Sequence, residues 1–94
     1  MPNKFAHVKN ATLADGAKDC AWPGCKVQVP LARWGCQDHW ALLPKLLRTR
    51  IWEAYTLGQE TDLGQVRQEY LDAASAAERW ITSFLAANRA VNEP

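Results

Sequence analysis

The apolar positions of this chain follow two helical rhythms in its second half and a strand-like one before them. Trp40, Leu43, Leu47, Ile51, Ala54 and Tyr55 recur at steps of three and four, the spacing that gathers side chains on one face of an α-helix. The pattern predicts a helix over 37–57. Pro44 lies inside it and either kinks the helix or opens its main part at the first helical position, where no amide proton is needed. Gly58 is a natural stop. Leu63, Val66, Tyr70, Ala74, Ala77, Ile81, Phe84 and Leu85 form a second stripe, which predicts a longer helix over 61–90 capped by Thr61 or Asp62. The small residues of "DAASAAE" allow another helix to approach closely. "LGQE" is short enough to join the two as an antiparallel pair, and the tail "NRAVNEP" is expected to fray.

Upstream the period changes to two. "KVQV" alternates and is β-branched, so it reads as a strand, with Pro30 ending it or sitting at its edge. "ARWG" is the expected return strand, with Gly35 allowing the bend that follows. "WPG" is a turn signal, since proline presets one dihedral and glycine supplies the unusual one. Residues 1–19 show little periodicity and are expected to be irregular, with "KFAHV" as a candidate short strand and "ADG" as a turn.

All three cysteines and one of the two histidines fall in "CAWPGCKVQVPLARWGCQDHW", residues 20–40. Cys20, Cys25, Cys36 and His39 are spaced C-x4-C-x10-C-x2-H. Two cysteines across a tight turn can both point inward, and two ligands three apart at a helix start share a face. Cys3His is a standard tetrahedral set for structural zinc, so one zinc ion is the expected cofactor. The competing reading is three buried thiols and a core histidine. A knuckle, a hairpin and a helix that supplies the last pair resemble the treble-clef class of fingers, although its first pair is usually closer. The two-Cys two-His finger does not fit, because no H-x3–5-H pair is present. His7 is a substitute ligand candidate, though a lone histidine beside Phe5 and Val8 reads more simply as packed or exposed. A catalytic zinc keeps an open position for water, whereas here protein donors fill all four. Asp38 reads as an outer acceptor or a helix-start charge, and a Cys36–His39 dyad would need a free thiolate. No enzymatic activity is expected. The fold class is therefore mainly α with a small zinc-bound β-hairpin: a treble-clef-like finger over 20–40 followed by two antiparallel helices, all in one domain spanning 1–94.

Ninety-four residues bury a limited core, so a metal staple contributes noticeably to stability. No apolar run approaches the ~20 residues that cross a bilayer, and "MPNKFAHVKN" has no apolar segment of a secretory signal. A reducing intracellular compartment is the default, where cysteines in this spacing favour metal over disulfide. Charge is unevenly spread. Residues 1–50 carry eight Lys/Arg against three Asp/Glu, and residues 51–94 carry three against seven. Either the basic half faces an acidic or phosphate-bearing partner, or the two halves attract each other.

Trp22, Trp34 and Trp40 surround the ligands, and either wrap the metal site or supply an exposed anchor. Trp22, in the turn, is the better anchor candidate. Leu42, Leu46 and Trp52 lie off the main stripe of their helix, so that helix is apolar on more than one side. A partner, or the N-terminal segment and finger, covers the second side. Lys45, Arg48 and Arg50 follow the finger, with Arg33 and Lys26 nearby. Phosphate binding needs such charges on one surface, but Arg50 projects away from Lys45 and Arg48. Bulky apolar residues also stand where a base-reading helix carries polar ones. The expected partner surface comprises Trp22, Arg33, Leu42, Lys45, Leu46, Arg48 and Trp52, with a protein as the partner and nucleic acid as the alternative. Neither a small-molecule substrate nor a membrane is expected, and oligomeric state is left open.

The run "VPLARWGCQDHWALLPKLLRTRIWEAY" followed by "GQE" and "EYLDAA", with Cys20 and Cys25 ahead of it, resembles a family of small zinc-finger-like proteins encoded by tailed bacteriophages and prophages. The resemblance covers roughly residues 20–80 and rests on the four ligands with Trp40, Leu43, Pro44, Arg48, Ile51, Trp52, Tyr55, Gly58 and Gln59. It implies no catalytic activity. It implies a phage origin, expression in the cytoplasm of a bacterial host, and, by analogy with small phage accessory proteins, binding to one host protein in transcription, immunity or pilus machinery.

Overall fold

The computed structural model of the chain describes residues 4–92, with side chains as far as Asn88. Met1–Asn3 of the N-terminal segment and Glu93–Pro94 of the tail lie outside the described residues. The chain is mostly helical, with one two-stranded antiparallel hairpin. In order it forms α1 (Lys4–Lys9), a 3-10 turn at Leu13–Asp15, β1 (Ala17–Asp19), β2 (Gln28–Pro30), α2 (Gln37–Leu42), α3 (Lys45–Ala54), a second 3-10 turn at Leu63–Gln65, and α4 (Gln68–Asn92).

The hairpin differs from the one the alternation predicts. The strand near "KVQV" is present, shifted to Gln28–Pro30, but its partner precedes the finger: Ala17 faces Pro30, Lys18 faces Val29 and Asp19 faces Gln28. "ARWG" turns instead, closed by Arg33 N–H to the Pro30 carbonyl at 3.0 Å. The ladder continues past β1 through Cys20 N–H to the Val27 carbonyl at 2.8 Å, so the first ligand pair sits in the loop between the two strands. Pro30 is tolerated because the strand is an edge and ends there.

The N-terminal segment is not irregular, and "KFAHV" is helical rather than a strand. Six residues are too few for a helix to stand alone, and tertiary contacts hold α1 in place. Lys4 Nζ donates to the carbonyls of Trp52 at 2.6 Å and Tyr55 at 3.3 Å, supplying donors to the open C-terminal end of α3. Arg33 donates to the carbonyls of Val8 and Lys9 at the end of α1 itself. His7 Nε2 meets Glu60 Oε2 at 2.6 Å, and the Tyr55 hydroxyl donates to the other carboxylate oxygen. Burial alone would raise the Glu60 carboxyl, but these hydrogen bonds outweigh it and hold its pKa below the ordinary value.

Pro44 divides the predicted helix over 37–57 into two. Leu43 and Pro44 are both extended, with ψ of 140° and 144°, as expected for a proline and the residue before it. The helix resumes at Lys45 and stops at Ala54, short of Gly58. Gly58 instead takes a φ of +84° in the following turn, closed by Gln59 N–H to the Thr56 carbonyl at 2.9 Å. The long helix starts later than expected, at Gln68, because the Asp62 carboxylate accepts from Gly64 N–H at 3.1 Å and closes a separate 3-10 turn.

The helical stripes meet in part as predicted: Leu43, Ile51, Ala77 and Ile81 pack together, but Ala73 is buried rather than Ala74, and Leu63 and Leu85 are exposed. Leu43, Ile51, Ala73, Ala77 and Ile81 are buried in one cluster with Cys20 and Trp22. Ala73 and Ala77 present almost no side chain, which lets α3 lie close against α4. Tyr55 at the end of α3 shares a cavity wall with Tyr70 at the start of α4, while the finger meets Phe84 further along, so the two helices run antiparallel. No helix among the described residues is long and apolar enough to cross a membrane.

Ile81 is fully buried and Leu46 is 72% exposed. Ile81→Ala is expected to lower unfolding free energy by about 3 kcal/mol through lost burial and a residual cavity, and Leu46→Ala by less than about 0.5 kcal/mol. Urea denaturation of the metal-loaded protein checks both.

Candidate metal centre

The loop between β1 and β2 places the first two ligands. Trp22-Pro23-Gly24-Cys25 forms a tight turn, with Gly24 at a φ of +85° and Cys25 N–H donating to the Trp22 carbonyl at 3.0 Å. Proline followed by a glycine of positive φ is the signature of a type II turn, and it folds the x4 spacing back so that Cys20 and Cys25 face each other. The second pair comes from the start of α2. Cys36 is the N-cap, with Trp40 N–H donating to its carbonyl at 2.9 Å, and His39 lies one turn on.

The ligand atoms of Cys20, Cys25, Cys36 and His39 all lie within 4.8 Å of one another. His39 Nδ1 is 3.6 Å from Cys20 Sγ and 3.3 Å from Cys36 Sγ. Sulfur and nitrogen bound to one tetrahedral ion, at about 2.3 and 2.1 Å from it, stand about 3.5 Å apart, so the donors fit a single metal held through Nδ1. All three cysteines are free of disulfides. The donor set predicted from spacing is therefore brought together in full, and His7 lies outside it against Glu60.

Three features around the donors fix them. Cys36 N–H donates to Cys20 Sγ at 3.2 Å, which ties the start of α2 to the first donor. Gly35 is buried, and a Cβ there would lie 2.8 Å from Cys20 Sγ, so only glycine lets the backbone pass this close to the sulfur. Ala21 N–H donates to the Trp34 carbonyl at 3.3 Å and ties the knuckle to the turn before α2. Burial lowers the Lys18 ammonium from its ordinary value, while negative charge on Glu60 and Cys20 pulls the other way.

Trp22 is not an exposed anchor. It is 6% exposed, stacked on the His39 ring at a centroid distance of 4.5 Å and set edge-on to Phe84 at 5.9 Å. Phe84 in turn stacks on Trp80 at 5.0 Å. This aromatic chain joins the donor set to α4 and is why Trp22 turns inward. Sequence spacing did not disclose Phe84 as a neighbour of the finger; its place on the apolar stripe of α4 was the only signal.

The remaining residues of the expected partner surface are dispersed. Leu42 is 48% exposed and Leu46 more so, with the exposed Lys45 between them. Trp52 is half-covered, stacked on Tyr55 and capped by Lys4 Nζ at 4.9 Å from its ring. Arg48 is half-buried, and its Nε is buried without a partner. Arg33 is exposed but engaged with α1, and Lys26 pairs with Asp19 at 3.6 Å. No protein-family model, curated protein or solved structure matches the chain.

Cys36→Ser is expected to cut bound metal to well under half and unfold the finger, because the site loses one of its four donors, whereas the backbone cap of α2 is kept. Gly35→Ala, which removes no ligand, is expected to cost about 1–3 kcal/mol by driving a methyl into Cys20 Sγ. Metal analysis and thermal melting of the two variants separate loss of a donor from loss of space.

Proposed function

We propose that the chain is a zinc-stabilised protein-interaction module in which the metal is structural. Convergence of three cysteine sulfurs and one imidazole nitrogen within 4.8 Å carries the metal part of this reading. Soft thiolates with one imidazole in tetrahedral reach suit zinc, and four protein donors leave no position for a reacting water. The ion's binding energy then serves as folding energy.

The interaction part rests on Leu42 and Leu46, exposed beside Lys45 where α2 passes into α3. These apolar side chains gain by leaving water against a partner, and they stand on elements that the metal and Pro44 hold rigid. The partner class we favour is a protein. The cations of the basic half do not assemble into one free surface: Lys26 is paired, Arg33 is pinned to α1 and Arg48 is half-buried. Nucleic acid is therefore the second reading. The resemblance adds that such a protein would be phage-encoded and would act on a bacterial host protein.

Leu42→Asp with Leu46→Asp is expected to abolish capture of a host protein that wild type retains after nuclease treatment, with the melting temperature unchanged. Lys45→Ala should weaken capture by severalfold at most. Nuclease-sensitive, steeply salt-dependent retention of DNA or RNA would favour the second reading instead.

A further inference from the structure

A cavity of about 430 Å³ opens beside the finger, between α1, the turn before α2, α2 itself, α3 and the start of α4. Its size lies within the range of small-molecule sites. Phe5, Trp34, Trp40, Trp52, Tyr55 and Tyr70 line it, an aromatic wall drawn from every element around it. Trp34 and Trp40 stand 5.9 Å apart at a tilt of 48°, and Trp52 and Tyr55 are stacked. Two cations, Lys9 and Arg33, stand in the lining, and no carboxylate does. Arg33 is held in place by its donations to the Val8 and Lys9 carbonyls, which leave its other guanidinium N–H groups unspent. The indole N–H groups of Trp34, Trp40 and Trp52 have no acceptor among the described residues. Aromatic walls bind flat rings, and unspent donors beside two positive charges bind a negatively charged acceptor.

The geometry points to a binding site for a small planar aromatic anion, its rings against the tryptophans and its charged group at Lys9 and Arg33. None of the four donors, nor Leu42 or Leu46, lines the site, although Gly35 and Trp40 adjoin Cys36 and His39, and it would couple a ligand to the packing of α1 on the finger. An aromatic anion seated there touches α1 and the turn before α2 at once, so binding would strengthen contacts that otherwise rest on a few hydrogen bonds.

The test uses the full-length, metal-loaded protein labelled with 15N, titrated with naphthalene-2-carboxylate and with its uncharged analogue naphthalene-2-carboxamide. Expected are saturable shifts of the Trp34, Trp40 and Trp52 indole N–H signals, with those of Trp22 and Trp80 little moved. The acid should bind at least about fivefold tighter than the amide. Lys9→Gln should remove most of that preference while leaving amide binding within about twofold, and Arg33→Gln should do the same if its Trp22 and Trp80 signals show an intact fold. Absence of saturable shifts overturns the site. Equal binding of acid and amide, or shifts centred on Trp22 and Trp80, overturns the assignment of an anionic ligand to this cavity.

Discussion

The finger depends on the approach of Cys20, Cys25, Cys36 and His39 to a common point. A single tetrahedral ion at that point would take all three sulfurs as thiolates and tie four positions of the chain together. The backbone is shaped to that demand. A type II turn folds the first pair, the N-terminus of α2 presents the second, and Gly35 lets one segment pass the other at sulfur contact distance. Trp22 then carries the constraint outward, from the imidazole it stacks on to Phe84 and Trp80 of α4. A metal held at these donors would give a small chain with a limited apolar core a second centre of cohesion.

The helical half supplies the complementary, metal-independent part. Ala73, Ala77 and Ile81 of α4 meet Leu43 and Ile51, and the same cluster contains Cys20 and Trp22. Because core and metal site share residues, neither is insulated from the other. α1 closes the far side by placing Lys4 on the end of α3 and His7 on Glu60. It buries little itself, and its position depends on polar contacts with groups some fifty residues away in sequence.

That dependence explains what the sequence revealed and what it hid. The four donors were legible because each pair is local: a Pro-Gly turn within x4, and two positions three apart at a helix start. The helical stripe was legible where packing follows period, at Leu43, Ile51, Ala77 and Ile81. α1 was not, because six residues carry no periodic signal and the lysine and arginine contacts that hold it are long-range. The pairing of β1 with β2 was missed because a three-residue strand, "AKD", has no alternation to read. Trp22 was misplaced because a turn position argues for exposure, and only the distant Phe84 and the His39 ring make burial favourable. The split at Pro44 was half-legible: the proline announced a break, and the structure decides that both Leu43 and Pro44 leave the helix.

One metal ion at the four donors is expected to organise the finger. Elemental analysis of the purified, tag-free protein, with thiol reactivity counted before and after chelation, tests this most directly. One zinc per chain is expected, with thiols protected until the chelator removes it and ordered tertiary signal lost on removal. A metal-free protein with three freely reactive thiols and an unchanged fold would contradict it.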